Sequence, residues 1–245
     1  IQEYIMSFRN QKTHRVYGYN YKVLKLDRNL SDLKFVSRLY SHENLTELLI
    51  IKSVTESIND EKISKILRLC LIGILRRVSY LSSNFANDYV PRIINKKSDV
   101  LKEFLLELED ILSKLKKYTA ELKEDTFVKI LNEDTRHLSI EDESIDLIVT
   151  HPPYISAVPY AEYFKLEMIW LGLDPRELNA NIIGGKRSSN HVVNRFNDGM
   201  IKTFNEMYRV LKKGSYACVV IGNARVKGKI IKSNEDFIEM ANRAN

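Results

Sequence analysis

The stretch Asp146-Leu147-Ile148-Val149-Thr150-His151-Pro152-Pro153-Tyr154 decides how this chain folds, because a short apolar run leads directly into two prolines and a tyrosine. A prolyl ring fixes φ and removes a backbone donor, and the residue before a proline is held extended. The uninterrupted apolar run predicts a strand over residues 145–149, buried as strands of a parallel sheet are. Two prolines after it predict a rigid, open turn at the strand's carboxyl end, the edge at which α/β sheets bind ligands. A following helix cannot use up the carbonyls of such a turn, and the Tyr154 ring offers a flat face beside them. The combination suits a planar group bearing an amino function, with the carbonyls accepting its N–H bonds and the ring stacking on its face.

Working outward, Val128-Lys129-Ile130-Leu131 is a second short apolar run that predicts a strand, ending at Asn132-Glu133-Asp134. Downstream, a helix is expected over residues 161–171, closed by Gly172. A loop over 179–196, a helix over 204–211 and a buried strand over 216–221 follow, and a surface hairpin or loop carries Lys227, Lys229 and Lys232. Upstream the period becomes three and four. Leu45, Leu48, Leu49 and Val54 mark one helix, with Ser41 placed to cap it. After Asn59-Asp60, Ile63, Ile66, Leu67, Cys70, Leu71 and Ile74 mark a second. A third begins after Ser98 or Asp99 and carries Leu101, Phe104, Leu105, Leu108, Ile111, Leu112 and Leu115 on one side, a pattern too short for the three to four heptads of a coiled coil. The organisation expected is a connecting region over 1–40, a helical subdomain over 41–120 that serves as scaffold, and a catalytic region over 125–245. The fold class is α/β, a partial sheet with an inserted helical subdomain.

The strand and its turn resemble the catalytic motif of S-adenosylmethionine-dependent amino-methyltransferases that act on nucleic acids, in which Asp, Asn or Ser precedes Pro-Pro and an aromatic residue. The likeness is greatest to DNA methylases of the cytosine-N4 or adenine-N6 type that read Thr-Ser-Pro-Pro-Tyr. It extends to Asn132-Glu133-Asp134-Thr135-Arg136-His137-Leu138 upstream and, downstream, to Trp170-Leu171-Gly172-Leu173, Ile183-Gly184-Gly185-Lys186-Arg187 and Tyr208-Arg209-Val210-Leu211-Lys212-Lys213-Gly214, so that it covers roughly residues 125 to 232. The resemblance implies a Rossmann-like methyltransferase sheet, S-adenosylmethionine as cofactor, and transfer of its methyl group to an exocyclic base amine in DNA. His151, Pro152, Pro153 and Tyr154 are the implied catalytic residues. Asp134 and Thr150 are the implied cofactor contacts, Asp134 accepting from the adenine amino group unless it only caps the following turn. Tyr160, together with Lys186, Arg187 and Arg195, is the candidate contact to nucleic acid.

His151 departs from the family pattern. A neutral imidazole has one unprotonated nitrogen with which to accept the target amine's hydrogen, and imidazolium has none. Either His151 takes that role, and activity falls when it is protonated, or it shapes the turn and the Pro152 carbonyl is the acceptor. A glycine-rich loop for the cofactor's methionine part is a second departure: among nine glycines the sole adjacent pair is Gly184-Gly185. With Ile1 rather than methionine at the start, a fragment that lacks this loop is expected, inactive alone and poor at binding the cofactor. Two rivals stand beside the DNA enzyme. One is the same chemistry on transfer-RNA guanine N2 or on a protein glutamine. The other is a non-catalytic nucleic-acid-binding subunit.

Composition narrows the classes further. The 245 residues, 44% hydrophobic and 29% charged, are those of a globular chain, and no apolar run approaches the ~20 residues that span a bilayer. No signal-peptide h-region opens the sequence, so a cytoplasmic protein is expected. Cys70 and Cys218 read as buried apolar residues, and the five histidines have no zinc spacing, so no metal is expected. Net charge is +6 overall, but residues 179–213 hold seven basic side chains against two acidic ones, the clustering that phosphate contact requires.

Overall fold

The computed structural model describes residues 30–81, 89–91, 98–123, 126–155, 160–183, 192–226 and 229–244. Helices α1 (Leu30–Ser37), α2 (His42–Glu56), α3 (Glu61–Ile74) and α4 (Val100–Glu121) come first. Strand β1 (Ile145–Thr150) is followed by α5 (Tyr160–Tyr163), α6 (Lys165–Trp170), α7 (Pro175–Asn181) and α8 (Val192–Val210). The chain then forms β2 (Leu211–Val219), β3 (Ala224–Val226), β4 (Lys229–Ile231) and α9 (Ser233–Arg243). It divides into two compact units, Ile1–Thr126 with Tyr163–Pro175, and Phe127–Glu162 with Arg176–Asn245.

In the helical unit each long helix starts on a side chain that accepts from its free first-turn amides. Ser41 Oγ accepts from Asn44 N at 3.1 Å, Asp60 Oδ1 from Lys62 N at 2.9 Å and Ile63 N at 3.1 Å, and Asp99 Oδ1 from Lys102 N at 3.0 Å. The apolar stripes meet in one core that includes Leu39, Leu48, Ile51, Leu67, Ile74 and Phe104. Segment 163–175 belongs here, with Leu166, Ile169 and Trp170 in the same core. The helix expected over 161–171 is divided at Phe164, whose backbone leaves the helical region. Its end matches expectation: Gly172 takes φ 75°, Leu173 N donates to Met168 O at 2.9 Å and Gly172 N to Ile169 O at 3.0 Å.

The other unit contains a two-stranded parallel pair, β1 with β2, and an antiparallel hairpin, β3 with β4. Helix α8 runs straight into β2. Its Phe196, Met200, Phe204 and Met207 bury with Phe237 and Met240 of α9, and Ile148 and Val219 pack against that cluster. Helices and a small parallel sheet are compatible with a partial α/β methyltransferase.

Several expectations fail here for identifiable reasons. Residues 128–131 form no strand, and Ile130 is 90% exposed, because no described strand pairs with them. Strands β1 and β2 are not buried runs: Leu147, Val149, Tyr216 and Cys218 share one sheet face, and Val149 and Tyr216 are 70% and 77% exposed. Cys218 is accordingly exposed, whereas Cys70 is buried as expected. The loop expected over 179–196 is partly helical, since α7 ends at Asn181 and α8 begins at Val192. No described helix is long and apolar enough to cross a membrane.

Candidate active site

Strand β1 delivers its carboxyl end to the two-proline turn, and the turn is anchored on both sides. Before it, Val220 N donates to Thr150 O at 2.9 Å, extending the parallel ladder by one rung. After it, Ile155 is buried in the cluster around Phe196 and Phe204. Pro152 is buried and Pro153 half-buried, while His151 is exposed. Among the described residues no backbone donor reaches the carbonyls of His151, Pro152 or Pro153. The turn lies at a strand's carboxyl edge, which is where an α/β sheet binds ligands.

The Tyr154 ring stacks on one neighbour and passes close to a second. His151 stacks on it with ring centroids 5.2 Å apart and planes at 29°, and Tyr154 OH lies 3.3 Å from His151 Nε2. Gly222, just past β2, lies on another side: a Cβ there would sit 3.4 Å from Tyr154 Cε2 and 3.4 Å from its hydroxyl oxygen. A Cβ there would make ordinary van der Waals contact, and a side chain longer than alanine's would have to share that space with the ring. Gly222 escapes notice in the sequence, where it is one isolated glycine after an apolar run.

Asp134 lies elsewhere in the unit's bonding. Its carboxylate accepts from Arg136 N at 3.0 Å and Arg136 Nε at 2.8 Å, with an Arg136 terminal nitrogen on the second oxygen. Arg136 also donates to Asn181 O at 3.2 Å. The side-chain bonds from Arg136 hold the Asp134 carboxyl down at about 2. Oδ1 thus caps the turn through the Arg136 amide, and both oxygens pair with the Arg136 guanidinium.

The basic cluster also changes meaning once its partners are known. Arg209 donates to Glu206 Oε1 at 3.0 Å and Oε2 at 2.7 Å, to Ile140 O at 2.8 Å and to Leu138 O at 3.0 Å, and it pairs with Asp142. Lys212 pairs with Asp146 at 2.7 Å and Lys213 with Glu143 at 3.4 Å. Acids from residues 142–146 therefore neutralise three of the seven cations counted along the sequence. Arg195 and Lys202 stand exposed on α8, and among the described residues neither has an ion pair. Lys186 and Arg187 lie outside the described residues. Tyr160 opens α5, exposed. The structure thus brings Thr150, His151, Pro152, Pro153, Tyr154 and Gly222 together, and ties Asp134 to Arg136 instead.

Among the described residues no group of three or more His, Cys, Asp or Glu could hold a metal ion. Of the residues offered to S-adenosylmethionine, Asp134 is exposed and accepts from Arg136, and the Thr150 carbonyl accepts from Val220 N.

A strand that ends in a two-proline turn beside a parallel neighbour has the arrangement of an α/β sheet's carboxyl edge. Over 105 residues the chain is 31% identical to the type II methyltransferase M.MjaI of Methanocaldococcus jannaschii, a stretch that is 40% of this chain. The chain spans about a third, 34%, of that protein's length. No family model matches the chain, and no solved structure matches it.

Proposed function

We propose that this protein is part of an S-adenosylmethionine-dependent methyltransferase, and that His151, Pro152, Pro153 and Tyr154 form the pocket wall that receives an exocyclic amino group of a DNA base, cytosine N4 or adenine N6. The observation that carries this reading is the two-proline turn, whose carbonyls no backbone donor among the described residues reaches, beside a Tyr154 ring stacked on His151. The likeness to a methyltransferase supports the same class of reaction.

An amine conjugated to a base ring is a poor nucleophile because its lone pair is delocalised. Carbonyl acceptors that draw on its two hydrogens favour the pyramidal form and return density to nitrogen. The Tyr154 ring fixes the plane of the base, so that the amine faces the methyl donor in a reactive alignment. A base in a duplex must leave the stack to reach such a wall. On this reading the Pro152 carbonyl is the main acceptor and His151 positions Tyr154, because its Nε2 already faces the tyrosine hydroxyl. Arg195 and Lys202 are the phosphate contacts among the described residues.

A second reading is a nucleic-acid-binding subunit without catalysis, favoured by the engagement of Asp134 with Arg136. The test, on the complete enzyme of which this chain is proposed to be part, is transfer of a labelled methyl group from S-adenosylmethionine to duplex DNA, alongside calorimetric titration with the cofactor. Incorporation that disappears in Pro152→Ala and Tyr154→Ala, with folding retained, supports the enzyme. DNA binding without cofactor binding or incorporation supports the subunit. Transfer-RNA labelling in preference to DNA moves the same turn to an RNA substrate.

A further inference from the structure

The bond between Tyr154 and His151 settles where the imidazole proton sits. A neutral imidazole has one N–H donor and one bare nitrogen, and the bond made at either nitrogen decides which is which. Tyr154 OH lies 3.3 Å from His151 Nε2. A phenol is a stronger acid than the N–H of neutral imidazole, and a bare imidazole nitrogen is a stronger base than a phenol oxygen. The hydroxyl therefore donates, Nε2 accepts, and the ring proton is on Nδ1.

Neutral His151 then has no nitrogen left to accept a hydrogen from a target amine. It has a donor instead, on an exposed ring, and among the described residues nothing bonds Nδ1. Pro152 supplies the opposite character, since among the described residues no backbone donor reaches its carbonyl. Consecutive residues of the turn thus offer a ligand one donor and one acceptor.

We propose that His151 recognises the ring nitrogen beside the target amine, donating to it from Nδ1, while the Pro152 carbonyl accepts from the amine itself. The assignment rests on the reading of this turn as a wall that receives a base. The pair matches an amino donor next to a ring-nitrogen acceptor, which cytosine presents at N4 and N3 and adenine at N6 and N1. Both lie on the Watson–Crick edge that a flipped base exposes. Guanine presents N1–H beside N2 on that edge, so two donors would meet. The histidine thereby gains a chemical role that an aspartate at 151 could not fill, because an ionised carboxylate only accepts.

The test uses the complete enzyme and two duplexes, one with the mapped target base and one with its deaza analogue, 3-deazacytosine or 1-deazaadenine. The analogue keeps the amine and carries C–H in place of the neighbouring ring nitrogen. The ratio of kcat/KM between the two duplexes should be roughly tenfold larger for the parent than for His151→Ala, the weight of one hydrogen bond. Comparing ratios cancels the analogue's own change in reactivity. His151→Asn keeps an N–H donor and should retain most of the discrimination. His151→Asp should lose it and fall below His151→Ala on the natural base, because its carboxylate faces an acceptor. Position 151 is exposed, so the melting temperature should be unchanged across the series. Equal ratios in the parent and His151→Ala would overturn the proposal and leave a residue that only steadies Tyr154, as would a His151→Asp enzyme as active as the parent. Either result leaves the base-binding reading of the turn intact. No methylation of any DNA by the complete enzyme would remove that reading, and this one with it.

Discussion

The helical unit and the strand-bearing unit have similar apolar patterning, yet they use it differently. In the first, stripes at helical spacing converge on one core, and Leu39, Leu48, Cys70, Ile74 and Phe104 are fully buried. In the second, burial is concentrated on α8 and α9, while the open face of β1 and β2 leaves Leu147, Val149 and Tyr216 in solvent. The contrast shows that an amphipathic helix announces which of its faces is inside, and an apolar parallel strand does not. The strand's composition suits burial on two faces, but the number of covered faces depends on neighbours that the strand does not encode.

The contrast can be broken by truncation. Trp170→Ala should destabilise the helical unit by ~3–5 kcal/mol in urea denaturation, because it empties a fully enclosed site beside Tyr40. Val149→Ala, on the open sheet face, should stay within about 0.5 kcal/mol of the parent. Equal losses at the two sites would mean that both faces of the sheet are covered in solution.

At the proposed base-binding wall, Tyr154→Ala should weaken binding of a DNA containing an unpaired target base by ~1–3 kcal/mol. It should leave the melting temperature nearly unchanged, because the ring stacks on the exposed His151 and belongs to neither core cluster. A large fall in stability with unaltered binding would make Tyr154 a packing residue instead. In the helical unit, Asp60→Ala removes the cap of α3 and should cost about 1 kcal/mol.

Acid should separate the units in another way. The Arg209 guanidinium, followed by the Leu138 amide, holds the Glu206 carboxyl down at about 2. Arg136 holds the Asp134 carboxyl at a similar level. A carboxyl depressed in the folded state contributes stability that is complete above its ordinary range, roughly 4, and that is lost as pH falls from there through about 2. Hydrogen exchange should therefore show the amides of Leu138, Glu143 and Ser144 losing protection below pH ~4 before those of α3. Glu206→Gln should flatten that dependence at Leu138, and identical acid profiles in both regions would refute the assignment.

The smallest effect concerns the two thiols. Burial pushes the Cys70 thiol up to about 11, and Cys218 is exposed on the open sheet face. Thiolate is the reacting form, so a native sample should consume one equivalent of thiol reagent promptly and the second only on unfolding. Slow reaction at Cys218 would indicate that the sheet face is covered.

Much was legible in advance because it is local. Ser41, Asp60 and Asp99 stand where helix starts require an acceptor, and Gly172 stands where a helix end requires positive φ. The two-proline turn after β1 follows from the rings themselves, which restrict their own backbone and that of the residue before them. Other features escaped because their partners are distant in sequence. The neutralisation of Arg209, Lys212 and Lys213 by residues 142–146 is set by the parallel pairing of β1 with β2, and counting charges along one segment misses it. The position of Gly222 against Tyr154 likewise joins two strand ends separated by some seventy residues of chain.

Local rules acting within a few residues thus determined where the helices begin, where the strand stops and what the turn after it can offer a ligand. Only the tertiary structure decided which strand faces are covered, which cations are already paired, and which side chains hold Tyr154. Burial, ion pairing and ring contact are properties of neighbours in space, and a strand or a lysine carries no record of who those neighbours are.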